Sequence, residues 1–372
     1  MDWARYRLYL DGTPATSAQL ANFEDITIEQ EMDKASEARF EVPICTDDRG
    51  LWDGETEAFV QGMNRIRLEV QVAAGAWVPL IDGPVVAIEG KRHSEPGLSV
   101  LTLVVSDDSF WLHRDERVKS FEDSDDRIAA QLFDGVPQIA STDIDAAPAA
   151  SGAGFDTTVM RGTPMESLRV LARRQHMHAW VACGPTPGTS IGCFKLDPDP
   201  GKDYGLAPML LLGTGMNIFS FEGETRVGQT AIFRSRQVKL TDRSTDDATA
   251  RQDDIALQGT QGPPGPTLAR LLRPAQADAL TLQRAVQGAS ERAAYALSAH
   301  GEVMKETYPS VLQPYQFVDV LGADGTTSGR WLIRQVTHTL TRNEYGQSFK
   351  VARNARSAGT NSPAPQVPAA VF

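Results

Sequence analysis

Four side chains with metal-binding chemistry lie close together in this sequence: His176, His178, Cys183 and Cys193. Imidazole nitrogen and thiolate sulfur are ligands that zinc takes, so their spacing decides the matter. No HExxH, CxxC or H-x3-H spacing occurs around them. His176 falls near the end of a predicted helix and His178 in the strand after it, where packed histidines are expected. His93, His113, His300 and His338 stand singly. The acidic run from Thr241 to Asp247 (TDRSTDD) lacks the central Gly and terminal Glu of a calcium loop, and is expected to be a solvated, mobile loop. Asp107-Asp108 and Asp125-Asp126 are adjacent pairs, whose side chains do not face one another in a strand or helix. A glycosidase-type pair of facing carboxylates therefore cannot be read from them. No GxSxG elbow, Walker loop or GxGxxG fingerprint is present, and Gly213-Thr214-Gly215 reads as a turn. Arg169, Arg173 and Arg174 share a helix and read as a solvated face or subunit contact. Trp3, Trp52, Trp77, Trp111, Trp180 and Trp331 are dispersed, which fits core or interface packing better than a base-stacking platform. No catalytic, cofactor-binding or metal-ligating residue is assigned, no cofactor is expected, and the expected class is non-enzymatic.

Composition narrows the field further. The chain has 372 residues, enough for two or three domains, with a formal net charge of −12. An acidic chain does not offer the Lys/Arg surface that displaces counterions from nucleic acid, so no specific nucleic-acid binding is expected. An acidic wall would instead repel phosphate and let DNA slide past. Three cysteines in so long a chain do not make a disulfide framework, and assembly in a reducing cytoplasm is the expectation. The start, MDWARYRLYL, does not read as a signal peptide, and no apolar run reaches membrane-spanning length.

The elements that would position any site are mostly strands. Arg65–Val72 (RIRLEVQV) alternates, with Ile66, Leu68, Val70 and Val72 facing one way and Arg65, Arg67, Glu69 and Gln71 the other, as in a half-buried strand. Tyr6–Leu10, Ile26–Glu31, Ala38–Ile44, Trp77–Ile81, Val85–Glu89 and Leu98–Ser106 are further strands. Turn signals separate them at Asp11-Gly12, Asp53-Gly54, Asp82-Gly83 and Pro96-Gly97. Such spacing predicts a barrel or sandwich. Near residue 115 the pattern changes. Ser124 is placed to cap a short helix through Ile128, Leu132 and Phe133, with Gly135 as its stop. Thr163-Pro164-Met165-Glu166 is a capping box with proline at N1, opening a helix that buries Leu168, Leu171 and Ala172. Short strands follow at Ala179–Val181 and Gly192–Leu196. Strands resume at Asn217–Glu222, Thr230–Phe233 and Gln237–Leu240, followed by a polar stretch and the loop GTQGPPGP. Ala275–His300 reads as the longest helix, striped by Ala279, Leu282, Val286, Ala289, Ala293 and Ala296, and closed by a left-handed Gly301. Glu302–Tyr308, Gln316–Leu321, Arg330–Leu340 and Gln347–Arg353 complete the strands. The predicted domains are 1–114 (β), 115–215 (small α/β) and 216–356 (β, with an excursion loop at 241–274 and a helix at 275–300). The Pro/Ala-rich tail at 357–372 is expected to order only on a neighbour.

Three segments resemble contractile tail hubs: the phage late control protein D family and the hub half of type VI secretion spike proteins. They are Ile26–Ile44 (ITIEQEMDKASEARFEVPI), Met160–Val181 (MRGTPMESLRVLARRQHMHAWV) and Gly329–Arg356, the last carrying Val336-Thr337-His338, Tyr345 and Arg353-Asn354. The resemblance implies a mainly β fold with an α+β insert: two tube-like β-barrels bracketing a small α/β domain. It implies a homotrimer whose pseudo-six-fold ring joins a hexameric tail tube to a trimeric spike and lines the channel. Baseplate wedge or sheath-initiating proteins are further expected partners, and the spike is expected to be a separate polypeptide. The expected setting is a phage virion baseplate or an extracellular contractile injection particle, assembled in the bacterial cytoplasm. The family carries over no catalytic residue. The competing expectations are a tail-associated peptidoglycan- or glycan-acting module, which needs convergent carboxylates or an aromatic platform, and a hexameric distal-tail connector.

Overall fold

The alternation of apolar residues organises the N-terminal strands of the computed structural model, which describes residues 3–46, 48, 58–95, 97–147, 157–228, 231–238, 242–250, 255–273, 279–323, 327–342 and 344–357. Strands β1 (Ala4–Leu10) and β2 (Thr13–Pro14) form a hairpin across Asp11-Gly12, whose φ values of 46° and 78° suit the residue pair. A capped turn of helix, α1 (Ser17–Leu20), leads to β3 (Ile26–Glu31), β4 (Glu37–Pro43), β5 (Arg65–Val72), β6 (Val78–Lys91) and β7 (Val100–Ser106). The Asp82-Gly83 turn is a correction: both residues lie inside β6, which is one strand of 14 residues. Asp82 is held by arginines, and a Cβ on Gly83 would stand 1.8 Å from the carbonyl oxygen of Ser106. The glycine serves a close backbone approach, not a reversal. The Asp53-Gly54 turn and Pro96 lie outside the described residues.

The middle segment builds its own core. Its elements are α2 (Ser109–Leu112), β8 (Arg117–Phe121), α3 (Asp125–Phe133), β9 (Ile139–Ile144), β10 (Thr158–Gly162), α4 (Pro164–Gln175), β11 (Met177–Cys183) and β12 (Ser190–Leu196). Thr163 and Glu166 form the reciprocal capping box read from the sequence, with Pro164 at the first helical position. Ser124 stands at the N-cap of α3 without a side-chain bond to the helix. Leu168 and Leu171 pack with Ile128, Phe133 and Phe194. Gly192 lies under the ring of Phe133, where a Cβ would fall 2.5 Å from the ring.

The C-terminal half contains β13 (Met209–Leu210), β14 (Ile218–Thr225), β15 (Ala231–Val238), β16 (Thr245–Thr249), β17 (Leu268–Leu271), α5 (Ala279–Ala294), β18 (Leu297–Val303), β19 (Phe317–Leu321), β20 (Gly329–Leu340) and β21 (Tyr345–Arg353). Two expectations fail here. The acidic run expected to be a mobile loop contributes β16, where Arg236 pairs with Asp247 across the β15–β16 register. The long helix stops at Ala294, and Leu297–Val303 becomes a strand burying Leu297, Ala299, Gly301 and Val303 on one face. Position 301 of this strand requires glycine, because a Cβ there would meet the Ser220 carbonyl oxygen at 2.0 Å. Alanine-rich sequence favoured helix by propensity, but pairing with β14 and β21 decided the outcome.

A sheet of 13 strands runs β14-β18-β21-β20-β3-β4-β7-β6-β5-β1-β2, with β19 beside β20 and β13 beside β19. The chain is mainly β, and this sheet is a curled half-barrel. Strand β20 joins the two ends of the chain. Its first part pairs with β19 and its second part, Gln335–Leu340, with β3. Leu340 and Tyr345 accordingly complete the N-terminal core around Phe40, Leu68 and Leu103.

Candidate functional site

The polar residues that sequence inspection treated singly converge where the middle segment meets the sheet. The first cluster lies on the supposed solvent face of β5. Arg67 is 2% exposed and Glu69 3%, so the strand is buried on both faces at these positions, contrary to the alternating pattern. The β11–β12 hairpin covers them. Arg67 donates to Glu69 Oε1 at 2.7 Å, to Asp82 Oδ2 at 2.9 Å and to the Gly184 carbonyl at 2.8 Å. Arg65 reaches Asp82 at 2.6 Å and grips both oxygens of Asp108, at 2.8 and 2.6 Å. Ser190 donates to Asp108, the backbone N–H of Gly188 donates to Asp82, and Arg7 closes the network on Glu69. Burial works against the charge on Arg65 and Arg67, but their hydrogen-bonded carboxylates outweigh it and raise both pKa values. Asp107, next to Asp108, is buried as well. Desolvation lifts its pKa to about 6 against the backbone N–H bonds it accepts from Ser36 and Ser109.

The second cluster joins three parts of the chain. His178 on β11 sits between Asp33 Oδ1, 2.8 Å from Nδ1, and Asp197 Oδ1, 2.6 Å from Nε2. Desolvation would depress its pKa, but the two carboxylates prevail and raise it to about 9. It is therefore held as an imidazolium at neutral pH, which disqualifies it as a general base. His176 is the left-handed C-cap of α4 (φ 55°), with Nε2 2.7 Å from Glu291 Oε2 on α5 and 2.9 Å from Asp197 Oδ2. Tyr315 takes an unusual φ of 64° for a bulky side chain. Its ring stacks on Trp180 at 3.8 Å, and its hydroxyl accepts from the backbone N–H of Asp33 at 2.7 Å. It thereby wedges the β3–β4 turn, β11 and the approach to β19 together.

The cysteines, the other histidines and the helix arginines are dispersed. Cys193 has a thiol pushed by burial up to about 12, and Cys183 a thiol pushed further still, so neither supplies thiolate at neutral pH. The two cysteines do not join the histidines. Cys45 is exposed. His300 pairs with Glu222 at 3.2 Å on the sheet, and His93 and His113 are exposed. Arg174 binds Asp125 at the start of α3, at 2.6 Å through Nε. His338 is fully buried, with Nδ1 2.8 Å from the Tyr345 hydroxyl and Nε2 3.3 Å from Gln30 Oε1. Arg353 and Asn354 tie loop residues Ala256 and Gln258 to the end of β21. Trp52 lies outside the described residues. A cavity of about 260 Å³ is lined in part by Trp77, Trp180, Tyr315 and Asp107. Trp180 and Tyr315 stack on each other there, so neither ring presents both faces to a sugar.

Chemically, these clusters fasten. Most of their charges are paired, the Ser190 and Tyr315 hydroxyls are engaged, and the two buried thiols are protonated. Sequence inspection missed Arg65, Arg67, Asp33, Asp197 and Glu291, because their partners lie in other segments. The one signal available was charge within an otherwise apolar strand, at Arg67 and Glu69.

No protein-family model matches the sequence, and no curated protein matches it. Solved structures do match. A tail protein from Neisseria meningitidis MC58 superposes with a TM-score of 0.59 at 13% identity, over 94% of this chain and 96% of that one. The 43 kDa tail protein of prophage MuSo2 from Shewanella oneidensis gives 0.62 at 14% identity, over 94% and 98%. An E. coli component of the type VI secretion system, described as similar to the T4 bacteriophage tail proteins gp27 and gp5, gives 0.56 at 9% identity, over 97% and 80%. The chain therefore has the fold of these two tail proteins, one of them from a prophage, and of a type VI secretion component, across almost its whole length.

Proposed function

We propose that this protein is a structural hub of a phage-like tail: a trimer whose ring carries six barrel-like units and adapts a hexameric tube to a trimeric spike around a central channel. The observation that carries this reading is the shared fold, which spans 94% of the chain and nearly all of two tail proteins, one of them from a prophage. The two-barrel arrangement within each subunit belongs to the proposal. So do its domain limits at 114 and 215, and its tube, spike and wedge partners.

The ends of the sheet support association. Among the described residues, β14 pairs only with β18, and the far end of the sheet is β1 with its two-residue partner β2. Unpaired strand edges invite pairing with another chain. On β14 Phe219 is exposed, to 75%, and Leu212 and Met216 are exposed in the segment that leads into the strand. A monomer gains nothing from such a patch, whereas a subunit interface buries it. The engaged clusters give no nucleophile–base pair, so a structural role accounts for them better than hydrolysis does.

Native mass measurement and averaged images of the purified chain test this directly. The expected particle has three times the 40.4 kDa chain mass and shows a three-fold ring with a central hole. Six copies would turn the assignment to a distal-tail connector. A monomer at tens of micromolar that ignores tube protein would end the hub reading.

A further inference from the structure

Three ligand-type atoms from separate elements meet at the contact between α4 and α5: His176 Nε2, Asp197 Oδ2 and Glu291 Oε2, all within 4.8 Å of one another. His176 Nε2 faces both oxygens, at 2.7 Å and 2.9 Å, yet a neutral imidazole nitrogen has one proton to give. A single N–H cannot point well at both acceptors. The other oxygen of each carboxylate is already engaged. Asp197 Oδ1 is held by His178, which Asp33 holds in turn, and Glu291 Oε1 accepts from Gln287 Nε2 at 2.8 Å. Each carboxylate is thus oriented to aim its remaining oxygen at the same point. The ring is fixed as well: His176 is the helix C-cap, and Gly288 leaves room for it, since a Cβ there would fall 2.5 Å from the ring. Outer partners that orient inner donors in this way characterise metal sites.

We propose that His176, Asp197 and Glu291 bind one divalent transition-metal ion, Zn²⁺ by their donor set, and that the ion fastens α5 to the α/β unit. One imidazole nitrogen and two carboxylate oxygens suit zinc, with water completing the coordination. Donors about 2.0–2.1 Å from a tetrahedral ion stand about 3.3 Å apart, so the two His176 contacts, at 2.7 and 2.9 Å, must lengthen and the two carboxylate oxygens, within 4.8 Å of each other, must adjust around the ion. Locally, Asp33, Asp197 and Glu291 stand against His178, Arg292, Arg173 and Arg334, so the surrounding charge gives a cation no advantage and the site rests on its three converging donors. Two terms weaken binding. Arg292 repels the ion, and ligation through Nε2 moves the ring proton to Nδ1, which is buried without a partner. Micromolar affinity follows, not the tight binding of a zinc finger.

The test uses the full chain, stripped with chelator and titrated with Co²⁺ followed by visible absorption, then with Zn²⁺ by calorimetry. One ion per chain, displacement of Co²⁺ by Zn²⁺ and a rise in the thermal midpoint are expected. Glu291→Gln, nearly isosteric, should lower affinity at least ~10-fold while circular dichroism stays unchanged, and Gln287→Ala should lower it about 10-fold through loss of orientation. His300→Ala, at the surface pair with Glu222, should bind as the parent does. The proposal is overturned if no saturable one-to-one binding occurs below millimolar metal, or if Glu291→Gln binds undiminished.

Discussion

Replacing Arg67 with alanine removes one charge from a cluster whose members balance. Arg7, Arg65 and Arg67 face Glu69, Asp82 and Asp108, three of each sign. In Arg67→Ala, Glu69 keeps only Arg7, whose side chain is 43% exposed, while Asp82 keeps Arg65 and the Gly188 N–H. The Gly184 carbonyl loses its donor, while that of Thr186 keeps the Thr189 hydroxyl. An uncompensated buried charge of this kind costs about 3–5 kcal/mol. The urea transition followed by tryptophan fluorescence should move by that amount, and the 184–189 hairpin loop should become more sensitive to protease. The double variant Arg67→Met with Glu69→Met leaves two charges of each sign and fills the space with apolar volume. It should recover most of the loss, because the cost arises from imbalance and not from the absence of a salt bridge. A shift below about 1 kcal/mol for Arg67→Ala would refute the claim that the face of β5 is a closed ionic interface. A double variant as damaged as the single would refute the charge argument.

Burial lowers the His338 pKa to about 3, so its folded pKa lies below the unfolded value near 6.5. Its contribution is present above pH 6.5 and is lost as pH falls, by about 2 kcal/mol at pH 5; His338→Gln should flatten that part of a stability-against-pH curve. Gly83→Ala puts a methyl 1.8 Å from a backbone oxygen of β7 and should cost about 3 kcal/mol or the soluble fold, read from expression and thermal midpoint. Thr163→Ala removes the cap of α4 and should cost about 1 kcal/mol in the same unfolding assay, with Thr163→Ser close to the parent.

Local rules made much of the fold legible. Ile26–Glu31 and Arg65–Val72 were bounded as observed, because apolar alternation reports a buried face directly. Thr163-Pro164-Met165-Glu166 announced α4 because a capping box is satisfied within four residues. What was not legible depends on a distant neighbour. Arg67 and Glu69 alternate like solvent-facing residues, and only the hairpin 117 residues away, at Gly184, buries them. Asp82-Gly83 has the composition of a turn, and only the passage of β7 requires a glycine there. Gly301 has the composition of a helix stop, and only pairing with β14 and β21 makes it a strand residue. The histidine cluster follows the same logic. His176 and His178 were noted together, but their partners Asp33 and Glu291 come from opposite ends of the chain.

The pairing of β3 with β20 has a kinetic consequence. The bond between Gln30 and His338 spans 308 residues of chain. On a ribosome adding about 5–20 residues per second, β3 waits roughly 15–60 s for its partner strand. During that interval Ile26 and Ile28 lie on an edge that nothing covers from that side, and closure of so long a loop is intrinsically slow. A nascent or truncated chain therefore cannot complete the sheet. If the assembly proposed above recognises only the closed sheet, a chain that has not yet delivered β20 is withheld from it, and the β3–β20 pairing acts as a timer.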